Sequence, residues 1–191
     1  MQLDSLQAQQ RFIVRQRIRM MVNQYEVHSV APDGSEGGLL AFAQQKRLAF
    51  KEQVTFYADE SKSQAVFAFK ARAVMDLNAG YDVTDPSGAS LGFFRKDFGK
   101  SLLRSTFQVE GPGYTGTGQE RNQLVAILRR FTEFDFMPIH FDYVSSQGQP
   151  LISIERRFAF RDKYTVTVHD PRVDFRVAAA LAVAMDALMQ R

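Results

Sequence analysis

The sequence predicts a mainly β fold: a closed antiparallel barrel of about twelve strands around a buried hydrophobic C-terminal α-helix. Three observations carry this. Short segments with apolar residues at every second position, separated by turn residues, follow one another along most of the chain, as half-buried antiparallel strands do. The aromatics are 17 Phe and 6 Tyr with no Trp, and Phe and Tyr favour a pleated surface. Val177 to Met185 is an unbroken run of nine apolar residues, and a helix apolar all round has no side to turn to water. A barrel resolves both halves of the pattern, because closure removes the sheet edges and the lumen offers a helix an apolar surround. The alanines of that run let strands close tightly around it.

The 191 residues fit one domain, so 1–10 reads as a tail and 11–191 as a single barrel domain. In the first strand Phe12, Val14, Ile18, Met20 and Val22 share one face, while Arg11, Arg15, Arg17 and Arg19 share the other. Gln24 to Ala31 follows and ends at Pro32-Asp33-Gly34, which marks the first hairpin, and Gly38 to Gln45 is the next strand. Val54 to Asp59 and Gln64 to Lys70 alternate in the same way. Tyr81 to Asp85 and Ala89 to Arg95 flank the turn Pro86-Ser87-Gly88, and Ser101 to Val109 runs up to Gly111-Pro112-Gly113. Over 121–131 the period changes, with Leu124, Ile127, Leu128 and Phe131 at helical spacing; an amphipathic helix and a buried strand both remain open there. Met137 to Ser145, Leu151 to Arg157 and Lys163 to His169 resume the strands, with Gln147-Gly148 as a turn. Asp170 then reads as the N-cap of the last helix, with Pro171 at its first position.

The formal charge is +3, too small to announce a nucleic-acid partner. Its distribution says more, since residues 1–24 hold Arg11, Arg15, Arg17 and Arg19 against Asp4 alone and so account for the whole excess. Two readings of this stripe stay open. It is either a solvated strand face that resists edge pairing or a surface for phosphates and anionic headgroups. A second basic group, Arg156, Arg157, Arg161 and Lys163, is interleaved with Phe158 and Phe160; base stacking is conceivable there, but core packing of the two Phe is the better account.

Several chemistries are disfavoured. Without Cys there is no disulfide framework, zinc ribbon, iron-sulfur site or thiol nucleophile, and a reducing cytoplasmic setting is expected. Met1 to Gln10 lacks a basic segment followed by an apolar one, so a secretory signal is not expected. Val173 to Met189 is interrupted by Asp174, Arg176 and Asp186 and is rejected as a membrane span. His28, His140 and His169 stand singly, with no metal-ligand spacing. Gly111 to Gly116 matches G-x-G-x-x-G, but no βαβ alternation surrounds it, so a glycine-rich loop is expected rather than a dinucleotide site. No metal and no cofactor is expected.

YDVTDPSGASLGFFRK at 81–96, SLLRSTFQVEG at 101–111, ISIERRFAFRDKYTVTVHDPRVDFRVAAALAVAMDAL at 152–188 and QYEVHSVAPDG at 24–34 are similar in order to the LURP-one-related and phospholipid scramblase-like proteins, of bacterial type. The resemblance implies a tubby-like fold, a twelve-stranded barrel around a hydrophobic C-terminal helix, in agreement with the pattern. It fixes no activity. The calcium loop of scramblases would correspond to Asp162 through Asp170 and Asp174, but Lys163 stands where an acid is expected and too few oxygen ligands are present. The functional expectation is a noncatalytic cytoplasmic module, peripheral at the inner face of the membrane, that binds anionic phospholipid headgroups or another anionic ligand through Arg11, Arg15, Arg17 and Arg19. The alternative is a protein–protein interaction or scaffold domain. Nucleic acid is disfavoured as a partner.

Overall fold

The structure is a computed structural model that describes residues 9–18, 22–46, 53–73, 80–97, 106–121, 139–156 and 163–189. Among these residues the strands are β1 (Arg11–Ile18), β2 (Val22–Val30), β3 (Glu36–Lys46), β4 (Gln53–Tyr57), β5 (Ala65–Ala71), β6 (Tyr81–Thr84), β7 (Ser90–Lys96), β8 (Thr106–Gly111), β9 (Tyr114–Glu120), β10 (Ile139–Ser145), β11 (Pro150–Arg156) and β12 (Lys163–Val168). The helix α1 spans Phe175–Met189. Each strand pairs antiparallel with its sequence neighbours, and β1 pairs with β12 to close a twelve-stranded barrel. Phe12 lies opposite Val166 and Val14 opposite Tyr164 at this seam, so its inward positions are apolar on both strands.

The helix fills the barrel. Phe175 and every residue from Val177 to Met185 are buried, as expected of a helix without a polar face. Phe12 meets Phe175 edge-on with ring centroids 4.9 Å apart, and Phe67 reaches the same ring from the other side at 6.2 Å. At the far end the Tyr143 hydroxyl donates to Met185 Sδ at 2.9 Å. A ligand therefore has no vacant lumen to enter along this stretch.

The turns follow their residues. Gly34, Gly88, Gly113 and Gly148 adopt positive φ at four hairpin tips, where a side chain would be strained. Asp33 Oδ1 accepts from Ser35 N, and Asp85 Oδ1 accepts from Ser87 N and Ala89 N, tying each reversal through its Asx side chain.

Two elements differ from the sequence reading. Gly111 to Gly116, expected as a glycine-rich loop, is a tight hairpin that leads straight into strand β9, whose inward positions include Gly116 and Gly118. The apolar alternation is missing because neighbouring side chains occupy the space: a Cβ on Gly118 would lie 2.2 Å from the Tyr143 ring, and one on Gly116 would lie 2.4 Å from Leu151 Cδ1. The helix also starts later than Asp170. Asp170 closes a separate turn by accepting from Arg172 N, whereas Asp174 is the N-cap, its Oδ1 accepting from Arg176 N at 2.8 Å. Arg176 also folds back on the Asp174 carboxylate, so the charges buried at the barrel mouth compensate each other.

A charge cluster on the outer wall

Alternation along β1 turns Phe12, Val14 and Gln16 inward. Gln16 is buried and donates through Nε2 to the Tyr25 hydroxyl at 3.2 Å, so the polar interruption of the apolar face is satisfied. Arg11, Arg15 and Arg17 occupy the alternate positions. Arg19 lies outside the described residues, as do 122–131 and the Phe158 and Phe160 segment.

The structure surrounds the arginines with acids. Arg17 Nε stands 3.0 Å from Glu26 Oε1, close but without the alignment of a hydrogen bond, and Arg15 Nη1 donates to Glu36 Oε1 at 3.5 Å. Lys163 lies directly opposite Arg15 across the β1–β12 seam, and its Nζ is 2.5 Å from Glu36 Oε2. His28 completes the group. Its Nδ1 is 3.2 Å from the Gly37 carbonyl oxygen, to which it donates, and its Nε2 lies 3.3 Å from Glu26 Oε2 and 3.5 Å from Glu36 Oε1. Arg11 is exposed and forms no ion pair among the described residues. Burial alone would raise the Glu36 carboxyl, but Lys163, His28 and Arg15 together hold it below its ordinary value, so it is ionised at neutral pH.

The sequence singles out the arginines and, as part of a separate basic group, Lys163, but does not bring Lys163, Glu26, His28 and Glu36 to them. Glu26, His28 and Glu36 come from β2 and β3, and Lys163 comes from the last strand. Closure of the barrel was the available signal for Lys163, because it makes the first and last strands neighbours.

Glu26, His28 and Glu36 each offer one ligand atom, all within 4.8 Å of one another, which is also the composition of a metal site. Arg15, Arg17 and Lys163 already lie on these carboxylates. A divalent cation would join three fixed cations facing two carboxylates, so the ion-pair reading fits better.

Two other constellations are assembled by the fold. Ser153 Oγ donates to Asp142 Oδ1 at 3.0 Å and lies 2.9 Å from His169 Nε2, a Ser–His pairing invisible in the sequence. Asp142 itself is held by Arg121 through two bonds of 2.6 and 2.7 Å, and chiefly for that reason its carboxyl stays below the usual range despite burial. The serine hydroxyl thus lies between a carboxylate held by Arg121 and an imidazole. Beside the β8–β9 and β10–β11 turns an open depression of about 400 Å³ is lined by Tyr114, Thr115, Ser145, Gln147 and Arg172, among others. Arg172 is committed there, to Asp170 and to the Gly113 carbonyl. The G-x-G-x-x-G segment is the β8–β9 hairpin, strand on both sides, and offers no helix terminus to a pyrophosphate.

The LURP-one-related family model matches residues 40–186. The chain belongs to the LURP-one-related family. A protein from Arabidopsis thaliana solved by X-ray crystallography is similar over 98% of this chain and 96% of that chain, at 12% identity and a TM-score of 0.37. No curated protein matches the chain. The family match begins at Leu40, so it takes in Lys163 but leaves Arg11, Arg15, Arg17, Glu26, His28 and Glu36 before it. Family membership accounts for the barrel and says nothing of the cluster. No helix of the described residues is long and apolar enough to cross a membrane.

Proposed function

We propose that the chain is a noncatalytic binding module whose outer wall, centred on β1, takes up anionic phospholipid headgroups at the cytoplasmic face of a membrane. The observation that carries this reading is the contrast between interior and wall. The helix fills the barrel, while Arg11, Arg15, Arg17 and Lys163 gather on adjoining strands. Arg19 extends the row in sequence. The scramblase-like, bacterial-type kinship suggested by the sequence belongs to the same reading. Each basic residue near an anionic surface contributes about 1 kcal/mol, so a few of them support weak, reversible association.

Flotation with phosphatidylserine vesicles tests it. The chain floats with them at low salt and is released as salt screens the contact. The triple variant Arg11→Gln, Arg15→Gln, Arg19→Gln loses about a hundredfold in affinity by the same per-residue figure. Arg17 is left in place because Glu26 beside it is only 4% exposed and removing its cation would cost stability. Equal binding by the variant contradicts the proposal. A second reading, a scaffold with a protein partner, is favoured by Glu26 and Glu36, which give the wall mixed charge; it takes precedence if the unmodified chain ignores the vesicles at low salt.

A further inference from the structure

We propose that the Glu36 carboxylate occupies, as a built-in stand-in, an anion site formed by Arg15, His28 and Lys163, and that a phosphate group of the ligand binds by displacing it. This rests on the proposed anionic-ligand function and gives that surface a discrete site.

Three nitrogen donors on three different strands converge on this one carboxylate. Lys163 Nζ is on Oε2 at 2.5 Å, and Arg15 Nη1 and His28 Nε2 are each 3.5 Å from Oε1. The same convergence of charged donors is what a phosphate oxygen requires. Because Nδ1 of His28 donates to the Gly37 carbonyl, Nε2 is turned to the two carboxylates, hydrogen-bonded to Glu26 Oε2 at 3.3 Å with Glu36 Oε1 beside it at 3.5 Å. Glu26 shares the same Nε2 at 3.3 Å but is also paired with Arg17 and is only 4% exposed, so Glu26 stays as part of the frame while Glu36 is exchanged.

The site is reachable. Arg15 and Lys163 are each 36% exposed, Glu36 20% and His28 14%. Glu36 is the first residue of β3, directly after the Ala31–Ser35 reversal, and the β2–β3 register shifts on both sides of His28. An irregular strand end lets one side chain swing outward without opening the barrel. At 3.5 Å from Glu36 Oε1, Arg15 is a loose partner that the paired oxygens of a phosphate group would hold better.

The test compares the full chain with Glu36→Gln, which removes the charge and keeps the shape, and with Glu36→Ala, which also removes any amide contact to Lys163. With vesicles of phosphatidylcholine and phosphatidylserine in a 7:3 ratio, both variants should bind at least about tenfold more tightly than the unmodified chain, because a competing internal anion is gone. Adding Lys163→Gln to Glu36→Gln should reverse the gain. Inorganic phosphate should displace the Glu36→Gln chain from vesicles better than chloride at equal ionic strength; if phosphate also raises its melting temperature without vesicles, the free ion is a ligand, and if only vesicles do, the headgroup is. Unmodified and variant chains binding vesicles equally, or phosphate acting no better than chloride, overturns the stand-in while leaving the wall's lipid binding intact. Absence of vesicle binding by all three chains overturns both.

Discussion

Leu181→Asp is expected to leave the chain unfolded or insoluble. Leu181 is fully buried at the middle of α1, between Ala180 and Ala182 in a run with no exposed residue. A carboxylate there finds no cation among the described residues of the helix, since its one basic residue, Arg176, is paired with Asp174 about one and a half turns away. Leaving a buried charge uncompensated costs about 3–5 kcal/mol, and losing the leucine packing adds about 2–5 kcal/mol. Against a total stability of about 5–15 kcal/mol the sum removes most or all of the folded population. Leu181→Met, which conserves volume, should cost less than about 1.5 kcal/mol and retain a cooperative melt. Circular dichroism and size-exclusion chromatography read both variants; a soluble, cooperatively folded Leu181→Asp chain contradicts a barrel wound around its own helix.

The second large effect is at a residue with no side chain. Gly118 faces inward on β9, and an added Cβ would lie between 2.2 and 2.5 Å from three atoms of the Tyr143 ring. That ring is fully buried, and its hydroxyl is on Met185 of the helix, so it cannot retreat without disturbing the contact between wall and core. Overpacking of this kind costs about 1–3 kcal/mol, which for a chain of this size lowers the melting temperature by about 2–4 °C per kcal/mol. Gly38→Ala is the control, because no atom lies within 4 Å of its added Cβ; its melting temperature should be unchanged or slightly higher. Equal melting temperatures for Gly118→Ala and Gly38→Ala contradict the close packing of β9 on Tyr143.

Where the sequence was readable and where it was not has a physical pattern. Strands with apolar residues on the inward face, such as β4 with Val54 and Phe56, are legible because period 2 and burial coincide. Strand β9 is illegible because the space inside it is filled from the neighbouring strands, which leaves Gly116 and Gly118 where apolar residues would be expected. The helix is unmistakable over Val177–Met185, yet its start is ambiguous, since Asp170 and Asp174 both accept from the backbone nitrogen two residues ahead. The arginines of β1 are legible by alternation. Their acidic partners are not, because bringing Glu36 to Arg15 and Glu26 to Arg17 depends on strand register, and register is decided by turns and bulges that periodicity does not encode. For the same reason the Ser153–His169 contact, made across β11 and the end of β12, has no local signature.

These features give the account one central claim: the interior belongs to the chain's own helix, and ligand binding belongs to the outer wall around β1 and β12. Hydrogen exchange of the full chain, measured with and without phosphatidylserine vesicles at low salt, tests it most directly. Amides of Val177–Met185 should exchange among the slowest in the molecule and be unaffected by vesicles, while vesicles should slow exchange in Arg11–Arg17 and Lys163–Val168. Fast exchange of the helix, or vesicle-dependent protection confined to the helix or to β6–β8, would contradict it.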